Sequence, residues 1–306
     1  MKLEGIHHIT CITADAPRNV DFYARVMGLR MVKKTVNQDQ PSVYHLFYAD
    51  EKGSPGADLT FFEFPDVPVG RAGAGMIHRI SYRVGSAEAL DFWAERLRGE
   101  GFESERGDDW LRFRDFEGLE FELAVIETDD EPLIAAHPEV PRELALQGFH
   151  AVRAYTDDPE RSRALFQGAL EFTPVDDGWE SRGSKRGSFY NYDMAPGAVG
   201  IQGAGTVHHV AWASEDDEHE RWRERVIEAG GRPTPVIDRF WFRSIYFREP
   251  SGVLFEIATL GPGFGVDEDP EHLGEKLVLP PFLEDRRAEI EAQLTPITNP
   301  RQVAAP

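Results

Sequence analysis

Two histidine pairs and one carboxylate stand out among the residues that could do chemistry: His7-His8, His208-His209 and Glu256. Each pair lies in a short β-rich run, Gly5-Ile6-His7-His8-Ile9-Thr10 and Gly205-Thr206-Val207-His208-His209-Val210. Side chains alternate faces along a strand, so each pair is expected to put one imidazole on each face. His7 then shares a face with Ile9 and Cys11, and His208 with Val210 and Trp212, apolar faces that suit a covering helix. His8 with Thr10 and Ile12, and His209 with Ala211 and Ala213, are left to face a cavity. Glu256 sits in Val253-Leu254-Phe255-Glu256-Ile257-Ala258, where an ionised carboxylate needs a partner because burying one alone is expensive. Two neutral imidazoles and one carboxylate on one side of a divalent ion form the facial triad expected of non-haem Fe(II) oxygenases, with positions open for substrate and O₂. The plainer reading of each residue is structural: a core histidine, or a strand glutamate facing water as Glu122 could.

Those residues must be positioned by repeated elements. Gly75-Met76-Ile77-His78-Arg79-Ile80 and Gly148-Phe149-His150-Ala151-Val152-Arg153 begin like the two histidine-pair segments, and self-similarity of this kind marks a repeat. An amphipathic helical pattern follows each: Arg18 to Met27 stopped by Gly28, Ala87 to Leu97, Pro159 to Leu170, and Asp217 to Ala229 stopped by Gly230-Gly231. Strand-like runs then follow, among them 31–36, 43–48, 58–64, 110–113, 119–126, 241–247 and 253–259. The fold class is therefore α+β: four tandem βαβββ modules with boundaries near 70, 147 and 204, forming two paired-module domains of curved, partly open β-barrels. By chain order these are 1–140, holding modules 1 and 2, and 141–306, holding modules 3 and 4 and a tail. The tail carries a short charged helix near Leu283 to Leu294 and packs outside or at a subunit contact, which is compatible with a homo-oligomer. The repeat also supplies an internal control. Where modules 1 and 4 have His8 and His209, modules 2 and 3 have Arg79 and Ala151, so one site is expected.

Composition bounds the partners. The chain has 306 residues and a formal charge of −21, which would repel nucleic acid and anionic membrane surfaces. The acidity fits a salt adaptation, and the preponderance of Arg over Lys a GC-rich genome. The single cysteine, Cys11, reads as core and excludes a disulfide framework. With no signal peptide or membrane-spanning run at hand, a cytoplasmic location is expected.

From Leu3 to about Leu294 the chain resembles the vicinal oxygen chelate superfamily, which includes glyoxalase I, bleomycin-resistance proteins and extradiol dioxygenases. The stretch from Gly5-Ile6-His7-His8 through Gly28-Leu29-Arg30-Met31-Val32-Lys33-Lys34-Thr35-Val36-Asn37-Gln38 looks like ring-cleaving dioxygenases that act on hydroquinones, as does the tail Leu273-Gly274-Glu275-Lys276-Leu277 to Pro280-Pro281. The resemblance implies Fe(II) held by His8, His209 and Glu256; Mn(II) suits the same ligands. It also implies catalytic neighbours His7, Thr10, His208, Arg239 and Tyr246, with a small aromatic diol and O₂ as substrates. On this view His7 or His208 moves protons, Tyr246 hydrogen-bonds bound oxygen, and Arg239 stabilises negative charge. The rival is a glyoxalase-like isomerase or lyase. Its foothold is Glu63, in Phe61-Phe62-Glu63-Phe64, which aligns with Phe255-Glu256 and would complete a set of two His and two Glu. A second rival is a metal-free binding protein. Lys33 and Lys34 read as a solvated strand edge.

Overall fold

In the computed structural model of the protein residues 1–298 are described, and residues 299–306, the end of the second expected half, lie outside them. The repeat is visible in the element order. Module 1 is β1 (Ile6–Thr13), α1 (Ala16–Val20), β2 (Arg30–Val36), β3 (Tyr44–Ala49) and β4 (Asp58–Glu63). Module 2 is β5 (Met76–Val84), α2 (Ala87–Gly99), β6 (Ser104–Arg106), β7 (Trp110–Arg114) and β8 (Glu120–Val125). Module 3 has β9 (Phe149–Thr156), β10 (Thr173–Val175), β11 (Gly178–Arg182) and β12 (Gly187–Met194). Module 4 has β13 (Thr206–Ser214), α3 (His219–Glu228), β14 (Ile237–Asp238), β15 (Arg243–Arg248) and β16 (Leu254–Thr259).

The strands form two eight-stranded mixed sheets, β14-β15-β16-β13-β1-β4-β3-β2 and β10-β11-β12-β9-β5-β8-β7-β6. Module 1 thus shares a sheet with module 4, and module 2 with module 3. The sheets cut across the division by chain order at residue 140, because the first strands of modules pair with each other, β1 on β13 and β5 on β9. This pairing is what brings the ends of the chain to one site.

The helical segments of modules 1 and 3 depart from the regular helix expected. After the short α1, capped by the Asp15 carboxylate on the Arg18 N–H, the chain widens into a π turn over Asp21–Val26. Module 3 does the same at Ala164–Ala169 after a 3-10 turn. Phe22, Tyr23 and Ala24 are all buried there, as are Leu165 and Phe166. Consecutive inward residues do not suit an α-helical stripe, and the π turn accommodates them. Aromatic packing from both sheets meets in a continuous core that includes Tyr23, Phe61, Tyr82, Trp93, Phe121, Trp212 and Phe255, and Cys11 is buried within it.

The tail runs along the outer edge of the first sheet, with Leu277 bridged to Lys34, and includes α4 (Arg287–Glu291). It covers β2, so Lys33 is wholly buried and not solvated. Its ammonium donates to the Asp267 carboxylate (2.8 Å), to Glu268 and to the Phe264 carbonyl, and lies over the Trp241 ring. Among the described residues no helix is long and apolar enough to cross a membrane.

Candidate metal centre

His8 and His209 stand on the adjacent central strands β1 and β13, and Glu256 on β16 beside β13. All three side chains are buried. His8 Nε2 lies 3.3 Å from His209 Nε2 and 3.2 Å from Glu256 Oε2, and His209 Nε2 lies 2.9 Å from that same oxygen. Donor atoms about 2.1 Å from one ion and 90–109° apart would be roughly 3.0–3.4 Å from each other, so the three atoms fit a single ion. Glu256 Oε1 accepts from the Ser244 hydroxyl, whereas Oε2 is buried without a hydrogen-bond partner. An orphaned acceptor in the interior costs about 1–3 kcal/mol, and more when charged; a cation offsets that cost. Burial lowers the His209 pKa against the opposing pull of Glu256. Among the described residues no other cluster of His, Cys, Asp and Glu could hold a metal.

The alternation expected for the histidine pairs fails, for a local reason. In the β1–β13 ladder Ile6 pairs with Trp212 and His8 with Ala211, so His7 is an extra residue; Thr10 pairs with His209 and Cys11 with Val207, so His208 is another. Such β-bulges bend the strand and re-aim side chains. Neighbouring rings therefore meet instead of pointing to opposite faces. His7 Nδ1 lies 2.9 Å from His8 Nδ1, and His208 Nδ1 lies 2.8 Å from His209 Nδ1. His7 Nε2 can only donate to the Thr259 carbonyl (3.1 Å). Its Nδ1 must then accept from His8 Nδ1–H, which leaves the His8 Nε2 lone pair free for an ion. Burial, reinforced by the paired histidine, pushes both His7 and His208 down to about 3, so both are neutral at neutral pH.

Thr10 and Glu63 fall elsewhere than a ligand shell. Thr10 pairs with Thr60 as Ala211 pairs with Glu256, Thr10 lying two residues beyond His8 and Ala211 two beyond His209. The module 1 counterpart of Glu256 is thus Thr60, whose hydroxyl donates to Thr10 Oγ1 (2.9 Å). Glu63, three residues on, accepts from the Ala16 N–H (3.0 Å) at the start of α1. It caps a helix, and the expected route to a second carboxylate ligand is closed.

His8 and His209 open onto a narrow recess of about 40 Å³, lined also by Asn37, His45, Phe62, Arg239, Phe242 and Tyr246 among others. Tyr246 pairs with Glu256 across β15 and β16, and its ring meets that of His209 at 5.7 Å. Burial, with Glu256 adding to it, holds the Tyr246 phenol protonated well above its ordinary range. Arg239 grips Asp39 at 3.0 Å and lies over the Tyr246 ring; burial pulls its pKa down, but Tyr246 and Asp39 raise it overall. It is followed by Phe240 at φ 73°, an uncommon conformation for a bulky residue. Sequence reasoning passed over His45, Thr60, Phe242 and Ser244. His45 had a readable signal, an imidazole alternating with buried apolar residues in Tyr44-His45-Leu46-Phe47-Tyr48. Thr60 emerges only from strand register.

Residues 5–123 and 148–257 match the Glyoxalase/Bleomycin resistance protein/Dioxygenase superfamily. The chain belongs to this superfamily. It is 39% identical to a Bacillus subtilis (strain 168) protein named "Putative ring-cleaving dioxygenase MhqA", over 97% of this chain and 100% of the relative. It is 33% identical to the chlorohydroquinone/hydroquinone 1,2-dioxygenase of Sphingobium indicum, over 94% of this chain and 95% of that one. A Bacillus subtilis crystal structure titled "putative dioxygenase" superposes with TM-score 0.90 at 37% identity, covering 97% of this chain and 98% of the other. Glyoxalase I of Zea mays, at 15% identity and TM-score 0.60 over 83% of this chain and 92% of that one, shares the fold.

Proposed function

We propose that this protein is a ring-cleaving dioxygenase of the extradiol type, acting on a hydroquinone or related aromatic diol with O₂, and that His8, His209 and Glu256 hold its Fe(II). The observation that carries the reading is the donor set: two imidazoles and one carboxylate, with Thr60 where a fourth ligand would stand. Such a set leaves positions for both substrate and O₂. The ring-cleaving relatives, aligned along nearly the whole chain, support it. When bound, the ion supplies redox activation of O₂ and favours the ionised form of a phenol. Mn(II) would fit the same donors.

The protein's own groups take the remaining tasks. His7 and His208 fix the tautomers of His8 and His209. His7, with both ring nitrogens engaged, serves as a positioning group. His208 is half-buried and kept neutral by burial, and with Nδ1 2.8 Å from His209 Nδ1 it too serves as a positioning group. Tyr246, held neutral, donates a hydrogen bond towards oxygen at the site, and Arg239 brings positive charge to a recess where negative charge develops. Thr10 anchors the β1–β4 contact behind His8. Phe47, Phe62, Trp241 and Phe242 give the recess the apolar wall an aromatic ring needs.

The test is oxygen uptake by anaerobically purified protein loaded with Fe(II) and, separately, with Mn(II), given hydroquinones and catechols. Uptake with a ring-opened product is expected for a hydroquinone. No uptake with the ion verifiably bound would overturn the proposal.

A further inference from the structure

We propose that His45 selects the substrate, accepting a hydrogen bond at Nδ1 from the second hydroxyl of the aromatic diol. The assignment rests on the ring-cleaving reading for the identity of the diol. Its geometry is independent of that reading.

His45 lies on β3, where Tyr44, Leu46 and Tyr48 turn into the core while His45 and Phe47 line the recess. Its ring is clamped between Phe47 at 4.0 Å and Phe62 at 4.4 Å. Nε2 stands 2.9 Å from Thr60 Oγ1, and the Thr60 hydroxyl spends its one proton on Thr10. Thr60 can then only accept from His45, so the proton sits on Nε2 and the lone pair on Nδ1. Burial, with His8 and His209 adding to it, holds this imidazole neutral, its pKa well below 6.5.

Several other polar groups of the recess are occupied. The Gln38 amide donates to the Arg239 carbonyl, the Asp39 carboxylate accepts from the Arg239 guanidinium, and the Asn37 side-chain oxygen accepts from the Asp39 and Gln40 N–H groups. His45 Nδ1 has no hydrogen bond among the described residues. A fixed neutral acceptor in an aromatic-walled recess calls for a ligand that is aromatic and carries a donor. A phenolic hydroxyl meets both demands. An ether oxygen in its place would set lone pair against lone pair and leave Nδ1 unsatisfied.

The experiment is anaerobic titration calorimetry of Fe(II)-loaded protein with hydroquinone and with 4-methoxyphenol, which keeps one hydroxyl and converts the other to an ether. Wild type is expected to prefer hydroquinone roughly tenfold or more, the equivalent of one neutral hydrogen bond. His45→Phe should abolish the preference by weakening hydroquinone alone, and His45→Gln, whose side-chain oxygen can accept, should restore part of it. A preference that survives in His45→Phe, or an equal loss for both ligands, would overturn the assignment. Oxygen uptake on the same samples separates the two ideas. Preferential binding without uptake sinks the ring-cleaving reading and keeps His45, whereas uptake with an unchanged preference in His45→Phe does the reverse.

Discussion

The two sheets carry the same device and put it to different use. Each has a pair of antiparallel inner strands bulged at a histidine: His7 and His208 in the first sheet, His78 and His150 in the second. In the first, the next residues are His8 and His209, and Glu256 points a partnerless oxygen at them. In the second, the next residues are Arg79 and Ala151, and the carboxylate in register with Glu256 is Glu122. There the guanidinium takes the place of an ion. Arg79 lies 3.6 Å from Glu122 and also pairs with Glu120, while Arg112 holds Glu122 at 2.7 Å. The bulge histidine belongs to the scaffold, and the residue after it decides whether the sheet offers a cation site or fills it with its own charge.

The sharpest break in this comparison is to remove the two matched carboxylates separately. Glu256→Ala should empty the centre and lower turnover by far more than a hundredfold, since losing only the groups behind a ligand already costs 10–100-fold. Glu122→Ala should leave metal content unchanged and turnover within about twofold, because Arg79 keeps Glu120 and Glu122 lies in the other sheet. Metal analysis and oxygen uptake on both variants check this. Equal effects would mean that the sheets do not divide the labour as described.

Thr60→Glu sharpens the contrast within the first sheet. It places a carboxylate at the register position of Glu256 in module 1 and gives the four-ligand set of the isomerase reading. The variant should keep binding metal, shift its preference towards Zn²⁺ or Ni²⁺ in competition, and lose oxygen uptake by about a hundredfold or more as the open positions are filled. Undiminished uptake would break the link between a single carboxylate and O₂ chemistry. The converse change, Arg79→His with Ala151→His, supplies two imidazoles opposite Glu122. Titration should then show a second ion per chain, bound more weakly than the first because Arg153 stands where the first sheet has Thr10.

Much of this is legible in the amino-acid sequence alone. Histidine pairs in like segments, a glutamate in an apolar strand and the Arg79/Ala151 exceptions all follow from residue type and repeat position. Three things were hidden, each depending on contacts that composition does not encode. A bulge is a one-residue slip in a ladder, and no residue type announces it, so simple alternation puts His7 and His208 on the wrong faces. Glu63 aligned with Glu256 by sequence pattern alone, and only the register of β1 with β4 gives that place to Thr60. Lys33 looked solvated because the segment that buries it lies more than two hundred residues away in the chain.

The smallest effect distinguishes the bulge histidines themselves. His150 is the second-sheet counterpart of His7, with Nδ1 buried and unpartnered, and burial, with Arg83 and Arg186 adding to it, pushes its pKa down to about 4. Its folded-state pKa lies below the unfolded value of about 6.5. Below that value the unfolded chain therefore binds a proton that the folded one refuses, and stability is lost as pH falls. Between pH 7 and pH 5 this should cost on the order of 1–2 kcal/mol. His150→Phe removes the proton site and the unpaired nitrogen together, so its urea midpoint should fall less between those pH values than that of wild type, with metal content unchanged. His7→Phe should behave differently, since His7 holds the tautomer of His8 through Nδ1 and is itself held by Thr259. Metal affinity there should drop 10–100-fold. If His7→Phe bound metal as tightly as His150→Phe, the histidine behind the ligand would be packing alone, and the two sheets would differ only at His8, His209 and the groups facing Glu256.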